Sequence, residues 1–198
     1  MAKKQSQGEA PNLSMSIQYS KRLTDWRLWE NKAEELLKAA KLLEPQVKKY
    51  WSIVDTNFKE GRYSDPQKLL YTPPFNPQST HFMLVAYALE NLLKAIIIRN
   101  RQNSLRNRLF KRLPGVFTTH DLRGLAEEAN VPTSVAEEDL LHRLSLQSIW
   151  SSRYPIPIQV SAMKNVETYS DGNSYLTAIY PDDTERIKNM LKRVEALL

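Results

Sequence analysis

From Trp26 to Phe58, apolar side chains recur at steps of three and four: Trp26, Trp29, Ala33, Leu36, Leu37, Ala40, Leu43, Val47, Tyr50, Trp51, Val54 and Phe58. That spacing places them on one buried face of an α-helix. Pro45 interrupts the stripe without shifting its phase, so the pattern predicts either a kink or a second helix with Pro45 in its first turn. The aromatic residues of the stripe read as core rather than as ligand contacts. Residues 1–20, rich in Lys, Gln, Ser, Gly and Pro and without apolar periodicity, read as a flexible N-terminal tail.

The stretch Gly61 to Thr80 carries four prolines and predicts a long, mostly extended connection, a strap over the surface of the fold. A second helix is predicted from near Thr80 to Asn100. It is apolar almost all the way round, as befits the centre of a bundle. Its few polar groups, Glu90, Asn91 and Lys94, need partners if buried, and Glu90 one turn before Lys94 is the favourable order for an ion pair. Beyond the Pro114-Gly115 turn, Thr118 or Thr119 is expected to cap a short helix through His120, Asp121 and Leu122 to Ala129, ended by Val131-Pro132. Ser134 with Glu137 forms a capping box for the next helix, with Leu140, Leu141, Leu144 and Ile149 on one face. Trp150 to Pro157 closes that helix, and residues 158–180 are expected to form short strands or an irregular loop. Asp182 or Asp183 starts a terminal helix that turns Ile187, Met190, Leu191, Val194 and Leu198 inward.

Composition narrows the chemistry. At 198 residues with 41% hydrophobic and 25% charged residues, the chain is sized for one globular domain. With no cysteine there is no disulfide, no thiolate nucleophile and no Cys-based metal site. Five glycines leave little from which to build a phosphate loop. The start MAKKQSQGEAPNLS turns polar where a secretory signal would be apolar, and Phe82 to Ile98 is too polar for a bilayer span, so no membrane partner and a cytoplasmic location are expected. The net charge of +6 has a single origin. Arg99, Arg101, Arg106, Arg108, Lys111 and Arg112 fall within fourteen residues that hold no acid, and the other charges balance at 22 of each sign. Such a run either follows a phosphate backbone or is a solvated loop.

Three segments, YALENLLKA (Tyr87 to Ala95), THDLRGLAEEA (Thr119 to Ala129) and WSSRYP (Trp150 to Pro155), resemble in that order the HEPN domain, an α-helical family named for higher eukaryotes and prokaryotes nucleotide-binding. The similarity spans about Trp26 to Leu198. It implies a bundle of four to five helices, homodimers, and a place in toxin–antitoxin, phage-defence or RNA-processing systems, where a nucleotidyltransferase is a possible protein partner. In the family's ribonucleases an arginine followed after four to six residues by a histidine supplies a phosphate-binding cation and a proton-transfer group. Arg153 resembles that arginine, but no histidine follows it; the nearest arrangement, Arg112 to His120, has seven residues between. The usual ribonuclease pair is therefore missing.

No hydrolase, metalloprotease, Walker or calcium-loop motif is present. His81 and His142 are isolated, so no metal and no cofactor is expected, and the pairs Glu127-Glu128, Glu137-Glu138 and Asp182-Asp183 read as solvated or dipole-stabilising. His120 with Asp121 reads as a cap and a hydrogen bond before it reads as a dyad. Arg153 beside Tyr154-Pro155 can present a guanidinium and a ring to a phosphate or base, or instead cap carbonyls or pair with Glu90.

The expected architecture is thus all-α, a HEPN-like bundle over residues 21–198 with a long Pro-rich connection and a basic connection at 99–115. The expected function is binding of RNA or a nucleotide through Arg99, Arg101, Arg106, Arg108, Lys111, Arg112 and Arg153, without standard ribonuclease activity. Two alternatives stand beside it: a ribonuclease with a non-standard site at a dimer cleft, drawn from Arg153, Tyr154, His120 and Glu90, and a partner for an acidic protein.

Overall fold

A computed structural model describes residues 13–65, 67, 77–151, 180 and 182–198. The described residues are helical, with no strand among them. The α-helices are α1 (Leu13–Leu23), α2 (Trp26–Lys59), α3 (Pro77–Asn100), α4 (Gln102–Leu105), α5 (Gly115–Thr118), α6 (Leu122–Glu128), α7 (Val135–Leu146) and α8 (Asp183–Glu195). A 3-10 turn at Arg62–Ser64 follows α2, and a π-helical turn at Gln147–Ser151 follows α7.

Helices α2 and α3 form an antiparallel pair. The Arg99 guanidinium lies 5.4 Å from the Trp26 ring at one end, and His81 Nδ1 lies 2.9 Å from the Ala40 carbonyl oxygen farther along. Helix α2 starts at Asp25, whose carboxylate accepts from the Arg27 amide at 3.2 Å. It then runs unbroken through Pro45, which resolves the two alternatives in favour of one helix. Pro45 is on the exposed side, where water can serve the carbonyl that a proline amide cannot.

Helix α3 is the hub, packed against α2, α6, α7, α8 and the π-helical turn. From Leu92 to Ile98 every residue is buried. Of the described helices, it alone is long and apolar enough to cross a bilayer, and it is spent inside the bundle, 72% buried over its most apolar stretch. Leu122 and Leu125 of α6, Leu140, Leu141 and Leu144 of α7 and Ile187, Met190 and Val194 of α8 close the core around it.

Several expectations change. Residues 13–20, assigned to the tail, form most of α1, and their inner face is serine rather than aliphatic: Ser16 and Ser20 are buried. The Ser20 hydroxyl donates to the Ser16 carbonyl at 2.7 Å, so the face is satisfied without apolar side chains. The helix expected to run from Thr118 or Thr119 through His120 begins only at Leu122, because Thr119 and Asp121 are extended and the Thr119 hydroxyl accepts from the Asp121 amide at 3.1 Å. It ends at Glu128 with Ala129 as its C-cap, and the φ of 55° at Asn130 lets the Val131 amide reach back to the Ala126 carbonyl at 2.9 Å. The Ser134–Glu137 capping box forms as expected. Ile149 does not join the inner face of α7: the π-helical turn shifts the helical phase and leaves it 36% exposed. Of residues 158–180, only Tyr180 lies within the described residues.

Asp183 departs furthest from its expected solvated role. It is fully buried and accepts from Arg143 through both guanidinium Nη atoms, at 2.6 and 3.2 Å, from the Tyr180 amide at 2.7 Å and from Arg186 at 3.0 Å. Arg143 also donates through Nε to Asp139 at 2.9 Å, and Arg193 joins Glu137 at 2.6 Å, so α7 and α8 are tied twice. Burial alone would push the Asp183 carboxyl up; the hydrogen bonds from Arg143 and Tyr180 and the Arg143 charge outweigh it and hold the carboxyl below its ordinary value. A lowered folded value contributes stability that is complete above the unfolded carboxyl value of about 3.9 and is lost as pH falls through the folded value. Asp183→Asn is therefore expected to cost about 3 kcal/mol at neutral pH, since it strands a buried guanidinium. It should also flatten the loss of stability on acidification. Denaturant unfolding of both proteins across that range checks the two effects, and equal stabilities at neutral pH would refute the clasp.

Candidate nucleic-acid interface

Two charged residues of α3, Glu90 and Lys94, find their partners in α5 and in the residues that link it to α6. Lys94 and Glu90, one helical turn apart and with side chains 3% and 8% exposed, pair at 2.6 Å. A second donor of Lys94 reaches the Phe117 carbonyl at 2.9 Å, with the Trp29 ring 5.8 Å from the ammonium. The second oxygen of Glu90 meets His120 Nδ1 at 2.8 Å, and the His120 side chain is 46% exposed. A buried carboxylate thus orients an imidazole that reaches the surface. With Nδ1 engaged, Nε2 is the nitrogen left for another partner. Tyr87 stands beside this ring at 6.4 Å between centroids, and its hydroxyl donates to the Ser148 carbonyl at 2.9 Å, bringing the π-helical turn to the same place.

His120 and Glu90, separate candidates in the sequence, are one pair in space. The partner of His120 is Glu90, thirty positions away, and not the adjacent Asp121; nor does His120 cap α6, whose N-cap position is Asp121. The chemistry available to such a pair is proton transfer from an oriented imidazole. Arg153 and Tyr154 lie outside the described residues. His81 holds the Ala40 carbonyl, His142 is exposed, and among the described residues no three His, Asp or Glu side chains gather as a metal site.

The basic segment divides into two groups. Arg99 donates to the carbonyls of Leu197 and Leu198, the former at 2.9 Å, and lies over Trp26, so it pins the C-terminus. Arg101 pairs with Glu128. Both are occupied by the fold. Arg106, Arg108, Lys111 and Arg112 have no carboxylate partner among the described residues, and the Arg108 guanidinium lies 5.6 Å from the Phe110 ring. Residues 108–115 and Thr118 line an open groove of about 770 Å³.

This groove is held at two places. The Phe110 amide donates to the Ser20 hydroxyl at 2.8 Å, which ties the loop to α1, and Lys94 grips the Phe117 carbonyl next to Thr118 on the groove wall. Phe110 and Leu113 rest against the core from the loop side. The role of Ser20 had no sequence signal beyond a serine repeat at i, i+4, which apolar periodicity ignores.

If Lys94 is the anchor of the α5–α6 connection, Lys94→Met should lower stability by about 3 kcal/mol by leaving Glu90 buried without its ammonium. His120→Ala, at a half-exposed hydrogen bond, should cost about 1 kcal/mol. Thermal or denaturant unfolding of the two variants ranks them; the reverse order would refute the anchor role. No family model matches this chain, and no curated protein or solved structure does either.

Proposed function

We propose that this protein is a HEPN-like module that binds the phosphate backbone of RNA, or a nucleotide, in a prokaryotic defence or toxin–antitoxin setting and without standard ribonuclease activity. A homodimer and a nucleotidyltransferase partner belong to the same reading. The observation that carries it is the groove of residues 108–115 and Thr118, with four cations on or beside it, Arg106, Arg108, Lys111 and Arg112, that no carboxylate of the described residues neutralises. Uncompensated cations on a fixed loop raise the local concentration of phosphate and release its counterions on binding. Arg99 and Arg101, committed to the C-terminus and to Glu128, drop out of the binding set.

The Glu90–His120 pair favours a second reading, a ribonuclease with a non-standard site, because an oriented and half-exposed imidazole follows the groove wall by only two residues. Labelled RNA run on denaturing gels after incubation with wild type and His120→Ala separates the two. Intact RNA in both lanes supports binding alone, and cleavage that the variant loses establishes the enzyme.

For the leading reading, anisotropy of a labelled single-stranded RNA is measured over a series of NaCl concentrations. Replacement of Arg106, Arg108, Lys111 and Arg112 by glutamine is expected to reduce the slope of log affinity against log salt by about 3, the share of four single-strand phosphate contacts. An unchanged slope would falsify the groove as the binding surface.

A further inference from the structure

A smaller concavity of about 370 Å³ lies beside the basic groove, walled by Tyr19, Arg22, Leu28, Trp29, Asn91 and Leu113. Leu113 lines both hollows. Tyr19 also precedes Ser20, the residue that holds the basic loop through the Phe110 amide. The two concavities are therefore parts of one surface, with cations along one and aromatic rings in the other.

The pocket is built from fixed parts. Trp29 donates its indole N–H to the Leu23 carbonyl at 3.2 Å and rests against Phe117 with 5.8 Å between ring centroids, so its plane is set by the fold. Tyr19 is 39% exposed and stands at the rim. Asn91 donates from Nδ2 to the Tyr87 carbonyl at 2.7 Å, which fixes the amide and leaves Oδ1 as an acceptor with no donor among the described residues. Arg22 has no carboxylate partner among them. The volume is at the small end of the range of about 300–1,000 Å³ for small-molecule sites, too small for a peptide helix and sufficient for one flat ring.

We propose that this pocket receives one base of a single-stranded RNA whose phosphates lie along Arg106, Arg108, Lys111 and Arg112. The base stacks against Tyr19, presents an amino or imino N–H to Asn91 Oδ1, and has its own phosphate met by Arg22. Aromatic faces accept any base, so the pocket adds affinity for bases as such rather than for a sequence. This assignment rests on the phosphate-binding reading of the groove, and the test separates the two.

Affinities are measured by anisotropy for a single-stranded oligoribonucleotide and for an abasic ribose-phosphate oligomer of the same length, with wild type, Tyr19→Leu and Asn91→Leu. Tyr19 is exposed, and leucine is close to asparagine in size and favourable in a helix, so the fold is retained. Wild type is expected to bind the base-bearing strand about tenfold more tightly than the abasic one, the effect of one stacked base. Each variant should lose most of that ratio while keeping the salt slope of wild type. Equal affinity for the two oligomers with a steep salt slope overturns the pocket and leaves the groove standing. A tenfold ratio that both variants preserve places the base elsewhere and overturns the pocket as well. Binding to neither oligomer overturns groove and pocket together.

Discussion

The ion pair between Lys94 and Glu90 is the constraint from which the candidate interface follows. Two charges on the central helix of the bundle, both nearly buried, are tolerable only if every remaining donor and acceptor is met. The pair itself uses one oxygen of Glu90. The Phe117 carbonyl takes a second donor of Lys94 and His120 Nδ1 meets the other oxygen of Glu90, and both belong to the short connection around α5 and the start of α6. That connection is consequently fixed to α3 by polar bonds as well as by the burial of Phe117 and Leu122. An apolar pair at 90 and 94 could be as stable, but it would not specify where this connection sits.

The basic segment inherits its position from that arrangement. Its near end is spent on the fold, through Arg99 at the C-terminal carbonyls and Arg101 at Glu128. Its far end is held at Phe117, and Ser20 holds it between, at Phe110. Four cations within seven residues repel one another, and a free loop would spread to relieve the repulsion. A loop anchored on both sides of Lys111 and Arg112 cannot spread as far, so the potential is retained at the groove until an anion screens it. Neither anchor, the Ser20 hydroxyl at Phe110 or the Lys94 ammonium at Phe117, uses a cation of the loop, so they do not consume the charge they organise.

Helical periodicity made the main elements legible. Helices α2, α3, α7 and α8 appear where apolar spacing placed them, except that the last members of two stripes leave the buried face, Phe58 at 75% exposed and Ile149 at 36%, and the Ser134–Glu137 box forms because its residue types and spacing leave few alternatives. Helix α1 escaped because its inner face is serine, closed by side-chain to backbone bonds that hydropathy does not register. Asp183 escaped because an aspartate beside a helix start looks the same whether it meets water or a guanidinium forty positions upstream. The candidate site was legible in its residues and not in its pairings. Glu90, Lys94 and His120 were each visible, yet nothing along the chain joins positions 90 and 120, and the count of basic residues could not separate Arg99 and Arg101 from the four that the fold leaves uncompensated.

The same residues also explain why the polar features converge on one side of the bundle. Between Phe82 and Ile98, the polar side chains of α3 are Tyr87, Glu90, Asn91 and Lys94; Tyr87 and Asn91, and Glu90 and Lys94, are each four positions apart, so the two pairs run side by side as one stripe on an otherwise apolar helix. Each opens toward a different neighbour: Tyr87 to the π-helical turn, Glu90 and Lys94 to the α5–α6 connection, and Asn91 to the hollow beneath Tyr19. A helix buried on all its other faces can offer polar contacts only along such a stripe. The elements that need those contacts must gather there, so the π-helical turn, the α5–α6 connection and the hollow lined by Tyr19 and Asn91 all meet α3 along this stripe. These polar interruptions of the most apolar segment therefore mark, in the sequence itself, the side on which the later elements are joined to α3.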